Sequence, residues 1–294
     1  MMQYDIRLSI HYEYDHPVGG GRHLVRVLPL NIEGVQRVVA ASLTVSPKPA
    51  ERSDFSDFFR NNVTSVALRK PHDELDVRMS ARVVVNRPQP GFDVSPPLAG
   101  LADEIAAVWS MAPDAPHHFT TASDHVDIDP AITAYAGESF PADRSVAAAA
   151  EHFCNRINAD FAYDAEATTV ATRAPDAFTL KRGVCQDFSH IMIAGLRGLG
   201  VPAGYVSGFL RTIPPPGKER LEGADAMHAW VRVWCGRESG WLEFDPTNGM
   251  RAGDDHITVG WGRDYSDVAP IVGVVKIAGG QAAKQAVDVI PVEG

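Results

Sequence analysis

Strict alternation of apolar and polar residues near the N-terminus constrains the fold most strongly. In YDIRLSIHYEY, residues 4–14, every even-numbered residue is apolar or aromatic and every odd-numbered residue is polar. This period of two predicts a half-buried β-strand. The pattern returns in ELDVRMSARVVV, residues 74–85, and short segments rich in Val and Leu lie between the two. Because turn residues separate these segments, the first ninety residues predict an antiparallel β-sandwich.

A different pattern follows a proline-rich segment. RPQPGFDVSPPLAG, residues 87–100, contains four prolines and two glycines and is typical of an inter-domain linker. Helical segments come next, for example SVAAAAEHFCNRI, and strands then return in AGYVSGFL, AMHAWVRVW and GWLEFD. This order predicts an α+β fold, with an N-terminal β-sandwich-like domain at 1–90, a linker at 91–100 and a second domain at 101–294.

Charge and composition exclude several classes of function. The formal net charge is -10 and no run of Lys or Arg occurs, so a nucleic-acid-binding or anionic-membrane surface is not expected. The N-terminus lacks the pattern of a signal peptide, and no apolar stretch is long enough to span a membrane. The three cysteines form no CxxC pair, which indicates a reducing compartment. We therefore expect a cytoplasmic protein.

One cysteine stands at the start of a predicted helix. RGVCQDFSHIMIAGLRGLG, residues 182–200, has apolar residues at helical spacing and then a stop signal at Gly200 and Pro202. Cys185 lies in the first turn, on the inward face. Unpaired backbone N–H groups and the positive end of the helix dipole favour a thiolate there and could hold a developing oxyanion. Without a histidine partner, a buried structural cysteine is the better interpretation.

A histidine and an acid lie on two later strands. In DAMHAWVRVW, His228 falls on the polar face, and GWLEFDPTNG supplies Asp245 on the next strand. The loop 236–240 is consistent with a hairpin between them. The two side chains share a face only if the numbers of residues that lie opposite each other on the two strands add to an odd number, for example with Trp234 opposite Trp241. We predict this register, which makes Cys185 a nucleophile, His228 its base and Asp245 the group that orients the base.

Three segments resemble the bacterial transglutaminase-like superfamily. GVCQDFSHIMIAGLRGLGVPAGYVSGF is similar to its cysteine motif, DAMHAWVRVW to its histidine motif and GWLEFDPTNG to its aspartate motif. The order of the three residues agrees, GRDYSDVAP also resembles this family, and the N-terminal strands resemble the β-rich domain that often precedes the core. The resemblance implies a papain-like fold, in which Cys185 heads a central helix packed on an antiparallel sheet that carries His228 and Asp245.

Other parts of such a site are less well defined by the sequence. Asp187 matches a family acid just after the nucleophile, and it equally suits a carboxylate stabilised by the first helical turn. No side-chain oxyanion donor is evident, because Thr179 stands where papain-type enzymes carry Gln and Trp109 is far upstream. Tyr163 is the remaining candidate. Trp230 and Trp234 either line a substrate cleft or pack under the sandwich.

Three functions are compatible with this pattern. The leading hypothesis is a cysteine-dependent peptidase or amidase that acts on a peptide or protein amide through a thioester acyl-enzyme. A protein–glutamine transamidase differs only in its second substrate, an amine instead of water. A catalytically silent binding module is the third alternative. No cofactor and no metal are expected, and the N-terminal β domain is a candidate for dimer contacts.

Overall fold

The computed structural model describes residues 1–88, 91–212, 225–275 and 279–292. Within these ranges the strands are β1 (Met2–Val18), β2 (Gly21–Val25), β3 (Gln36–Ser46), β4 (Glu51–Ser56), β5 (Asn62–Leu68), β6 (His72–Val85), β7 (Ala162–Tyr163), β8 (Arg182–Gly183), β9 (Ala203–Leu210), β10 (Ala226–Trp234), β11 (Trp241–Asp245), β12 (Met250–Arg251), β13 (His256–Gly262), β14 (Ile271–Val275) and β15 (Gln281–Pro291). The helices are α1 (Leu98–Ala106), α2 (Pro130–Gly137), α3 (Val146–Asp160), α4 (Ala174–Leu180), α5 (Cys185–Gly198) and α6 (Tyr265–Val268), with a 3₁₀ turn at Pro116–Phe119.

Two four-stranded antiparallel sheets form the predicted sandwich. Their strand orders are β15-β1-β6-β3 and β14-β2-β5-β4. Side chains alternate across a strand, so the even-numbered residues of β1 enter the core, where Tyr4, Ile6, Leu8 and Ile10 are all buried. The same alternation buries one face of β6 against them. The sandwich that the sequence predicts is confirmed.

The last two strands belong to this sandwich, which corrects the expected domain division. β15 pairs with β1 from Tyr4 opposite Pro291 to Tyr14 opposite Gln281, and β14 pairs with β2. Val287 and Val289 of β15 are buried in the sandwich core. A second domain that runs unbroken from 101 to 294 is therefore wrong for these strands. The physical reason is that alternation predicts a strand but not the sheet to which it pairs.

The sandwich and the rest of the chain share apolar contacts. Phe209 of β9 and Ile257 and Val259 of β13 lie in the same buried cluster as the core residues of β1 and β15. The proline-rich segment 87–100 is also anchored at its start, because the Arg87 guanidinium lies 3.0 Å from Glu243 Oε2. Residues 89–90 of that segment lie outside the described residues. The sandwich and the sheet that contains β9, β11 and β13 therefore stabilise each other.

Helices and an antiparallel sheet make up the remainder, in the order that the sequence predicts. The sheet has the order β12-β11-β10-β9-β13. Its inward side chains on β10, Ala229, Val231 and Val233, pack in one core with α5, whose Phe188 and Ile191 are buried. The α+β, papain-like fold class is confirmed. No helix in the described ranges is long and apolar enough to cross a membrane.

Candidate active site

Helix α5 places Cys185 at its first residue, as predicted. The N-cap is Val184, whose side chain cannot accept a hydrogen bond. The first-turn N–H groups beside Cys185 therefore have no side-chain cap. Cys185 itself is partly exposed, in contrast to the buried residues that follow it in the helix. A thiol in this position can be reached by a substrate.

Asp187 holds the start of the helix in place. Its Oδ2 accepts the Val184 N–H at 2.8 Å and the Thr168 hydroxyl at 2.6 Å. Burial raises the pKa of Asp187, and these two hydrogen bonds oppose the rise. A Cβ on residue 183 would lie 2.5 Å from Asp187 Oδ2, which is why the chain has Gly183 there. These contacts favour the interpretation of Asp187 as a carboxylate that caps the first turn of the helix.

Strands β10 and β11 pair in the predicted odd register. Trp234 lies opposite Trp241 and Val231 lies opposite Phe244. Two hydrogen bonds in the connecting loop 235–240 close the hairpin. Because side chains alternate along both strands, this register brings Asp245 to the same face as His228, on a diagonal.

The structure brings the three predicted residues together. His228 Nε2 lies 2.8 Å from Asp245 Oδ2, and Cys185 lies close enough to the His228 ring to raise its pKa. Since Nε2 is engaged by the carboxylate, Nδ1 is the nitrogen left to interact with the sulfur. Asp245 is fully buried and His228 is 8% exposed, so their interaction is shielded from water.

The electrostatics of this group favour a charged histidine. Burial alone would lower the pKa of His228, but hydrogen bonds to Asp245 and Cys185 raise it to about 10. Burial opposes the charged form of Asp245 too, and hydrogen bonds from His228 and a second histidine hold its pKa well below the ordinary value. A positively charged imidazole beside a cysteine in general favours the thiolate, which is the reactive form of a cysteine nucleophile.

This arrangement predicts how His228 titrates. In the wild-type protein, we expect ¹⁵N NMR of labelled histidine to show His228 still protonated at pH 8. In Cys185→Ala the pKa of His228 falls by roughly one unit or more, since a neighbouring negative charge is lost. Because the folded state raises the pKa of His228, protonation of His228 increases the free energy of unfolding. This contribution is fully present below about pH 6.5 and is lost as the pH rises through about 10. An identical titration curve in Cys185→Ala would contradict the contact.

Asp245 has further partners that the sequence does not predict. Its Oδ1 accepts backbone N–H groups from Thr247 and Asn248, and its Oδ2 accepts the Asn248 side-chain amide at 2.7 Å. A buried second histidine, His256, also contacts Oδ2 at 3.1 Å. The sequence DPTN carries the signal of a turn in which Asp caps its own backbone. Nothing local indicates His256, because its strand β13 pairs with β9 on the far side of the sheet.

The two tryptophans of β10 are interior residues. Trp230 is fully buried and donates its indole N–H to Glu243 Oε2 at 2.6 Å. Its ring stacks against His228 at a centroid distance of 6.2 Å. Trp234 is buried in the core shared with α5. Neither lines an open cleft, so Trp230 supports His228 from within the sheet.

The candidate oxyanion donors differ in position. Thr179 is exposed on α4, and its hydroxyl donates to the Pro175 carbonyl. Trp109 is almost fully exposed. Tyr163 pairs with Gly183, two residues before the cysteine, and its ring is exposed. Of these three side chains, Tyr163 is the one adjacent to Cys185 in the structure.

Cys154 and Cys235 are packing residues, as expected. Both are buried, and burial raises the pKa of each thiol. Together with Cys185 they are free thiols. They therefore serve as internal controls for the reactivity of Cys185.

Two groups in the described ranges have side chains that could hold a metal ion. One is His228, Asp245 and His256, all buried, and the other is the partly exposed group His11, Glu74 and Asp76. In the first group the histidine Nε2 atoms already face Asp245 in hydrogen bonds. A metal ion would have to displace both ring protons. The contacts among His228, Asp245 and His256 are therefore those of a hydrogen-bond network.

Comparison with known proteins matches both parts of the chain. Residues 4–84 match the bacterial transglutaminase-like N-terminal region, and residues 133–246 match the transglutaminase-like superfamily. An uncharacterized protein of Mycobacterium tuberculosis is 38% identical over 272 residues, which cover 88% of this chain and 83% of the relative. An uncharacterized protein of Mycobacterium leprae is 30% identical over 277 residues, 90% of each chain.

A solved structure has the same fold. It is that of a candidate cysteine protease from Cytophaga hutchinsonii, which has 21% sequence identity and a TM-score of 0.74. The match covers 100% of this chain and 91% of that one. At this level of identity the likeness concerns the fold.

Proposed function

Since the chain belongs to the transglutaminase-like superfamily, we propose that it is a cysteine-dependent amide hydrolase, a peptidase or amidase, that works through a thioester acyl-enzyme. The observation that carries the proposal is the chain of contacts from Cys185 through His228 to Asp245. Asp245 hydrogen-bonds His228 Nε2, which leaves Nδ1 for Cys185, and Cys185 is close enough to raise the pKa of His228. This arrangement supports acyl transfer by a cysteine, in which a base and an orienting acid assist the thiol.

Acylation uses the thiolate–imidazolium pair. Cys185 gives its proton to His228 Nδ1, and the thiolate attacks the carbonyl carbon of the amide. The carbonyl oxygen takes up the negative charge. As the C–N bond breaks, His228 returns the proton to the leaving amine, and the acyl group remains on sulfur as a thioester. Asp245 stays ionised throughout, because its buried carboxylate keeps its hydrogen bonds.

Deacylation repeats these steps with water. His228 takes a proton from water, the hydroxide attacks the thioester carbon, and the C–S bond breaks. The products are a free acid and the restored thiol of Cys185. First-turn N–H groups of α5 are suited to stabilise the oxyanion in both stages, because Val184 leaves them without a side-chain cap. Tyr163 is a further candidate for this role.

A peptide panel tests the proposal. The purified protein is incubated with peptides that contain backbone amides and Gln and Asn side chains, with and without a primary amine, and the products are identified by mass spectrometry. Cys185→Ala is the matched control. We expect cleavage or deamidation of a substrate peptide in water, and we expect Cys185→Ala to abolish it. A transient acyl adduct should be found on the proteolytic fragment of the enzyme that contains Cys185.

The other outcomes are informative in opposite directions. Product formed solely in the presence of amine identifies a transamidase, and overturns hydrolysis while keeping the acyl-enzyme. Peptide binding without an adduct on Cys185 indicates a binding module and overturns the enzymatic proposal.

A further inference from the structure

The carboxylate of Asp245 is shared between two buried imidazoles. Its Oδ2 faces His228 Nε2 at 2.8 Å and His256 Nε2 at 3.1 Å. The two imidazoles come from different strands, β10 and β13. We propose that His256 is a positioning residue that fixes the Asp245 carboxylate for His228, an inference that rests on the function proposed above.

Hydrogen bonding determines the protonation of His256. The backbone N–H of Gly253 donates to His256 Nδ1 at 3.1 Å, so Nδ1 carries a lone pair. The proton of the neutral ring is therefore on Nε2, and His256 donates to Asp245. His256 is 1% exposed, which leaves no water to replace this donor.

His256 holds Asp245 from a direction that the local turn cannot supply. Thr247 and Asn248 donate from the same turn as Asp245 and fix the carboxylate relative to its own backbone. Strands β10 and β9 lie between β11 and β13 in the sheet. The hydrogen bond from His256 therefore ties Asp245 to a different part of the sheet.

The packing around His256 favours this single orientation. The Trp230 ring meets the His256 ring edge-on, with centroids 5.2 Å apart. Gly208 makes room for this arrangement, because a Cβ there would lie 2.4 Å from the Trp230 ring and 2.2 Å from the Ile257 carbonyl oxygen. A ring held in this way cannot turn its Nε2–H away from Asp245 without repacking Trp230.

Strand β13 is in turn held by the N-terminal sandwich. The Gln36 side chain accepts the Thr258 N–H and donates to the Thr258 carbonyl, both at 2.8 Å. Arg87 also donates to the Thr258 hydroxyl at 3.1 Å. The N-terminal domain thus contributes to the site through β13, His256 and Asp245.

His256 also influences how firmly His228 holds its proton. The positive end of the His256 Nε2–H dipole points at Asp245 Oδ2, the same oxygen that hydrogen-bonds His228. Removing that dipole leaves more negative charge for His228 and raises its pKa. The titratable groups that face His228 and Asp245 are Cys185 from α5, Cys154 from α3, His256 from β13 and, beside His256, Glu243 from β11.

Three variants test the proposal. His256→Leu removes the donor at similar volume, and His256→Gln offers an amide N–H near the position of Nε2. His23→Leu removes a buried histidine of the sandwich and is the control for loss of a buried ring. The NMR titration of His228 requires no substrate. We expect its pKa to rise by at least about half a unit in His256→Leu and to stay at the wild-type value in His256→Gln and His23→Leu.

Turnover supplies the second readout. We expect kcat to fall roughly 10- to 100-fold in His256→Leu, as for the loss of one hydrogen bond to a buried charge, with KM nearly unchanged. His256→Gln restores most of the loss. Equal losses in the Leu and Gln variants, or an unshifted His228 titration in His256→Leu, overturn the positioning role. If the wild type turns over no amide, the proposed function fails, and the NMR titration still decides whether His256 acts on His228.

Discussion

Cys185→Ala lowers the rate of amide cleavage by roughly 10⁴- to 10⁶-fold, the range for removing the nucleophile of a catalytic triad. The effect is this large because neither of the other two thiols can replace that of Cys185. Cys154 and Cys235 are buried, and burial keeps both in the thiol form. The measurement is a single-turnover rate on the peptide that the wild type cleaves fastest.

The control for this prediction is Cys235→Ala, which removes a buried packing thiol that has no electrostatic contact with the site. It is expected to keep a rate within a few-fold of the wild type and a slightly lower melting temperature. Matching circular dichroism spectra exclude unfolding as the cause of a loss. A Cys185→Ala protein that retains substantial cleavage would place the chemistry elsewhere in the molecule.

Val289→Asp lowers the free energy of unfolding by about 4 kcal/mol or more, since it buries an unpaired charge. Val289 is fully buried in the sandwich core, on the strand that pairs with β1. We expect the melting temperature to fall by roughly 10 °C or more. Because the sandwich core includes Phe209 and Ile257, cleavage activity is lost in the same thermal transition.

Ala286→Asp is the matched control on the same strand. Ala286 is exposed and contributes nothing to the core, so the same substitution should change the free energy of unfolding by less than about 1 kcal/mol. Equal destabilisation by the two substitutions would contradict the burial of Val289 in the core. A Val289→Asp protein that still cleaves amides at temperatures at which its sandwich is unfolded would show that the C-terminal strands are dispensable for activity.

Local patterns were sufficient where one face of an element is buried. Alternation in β1 and β6 predicted the sandwich, and helical periodicity after Cys185 predicted α5. The polar strand β4 was missed because all six of its residues are exposed and carry no alternation. Nor could any local pattern reveal that β15 returns to β1, since its partner is more than two hundred residues away in the sequence.

The candidate site divides in the same way. Cys185, His228 and Asp245 were predicted from a helix start and from the parity of a hairpin, both of which are local constraints. His256 depends on the placement of β13 beside β9, which is a tertiary property. The contact between Asp187 and Val184 lies between these cases, because it is local but requires the backbone geometry of the first turn.

Alkylation of Cys185 by iodoacetamide as a function of pH tests the central claim most directly. Peptide mass spectrometry follows all three cysteines in one sample, in the wild type and in His228→Ala. We predict that Cys185 is already alkylated rapidly at pH 6 to 7, that His228→Ala removes this reactivity, and that Cys154 and Cys235 stay unmodified in the folded protein. A Cys185 that reacts no faster than a simple thiol, or whose pH profile is the same in His228→Ala, would contradict a functional thiolate–imidazolium pair.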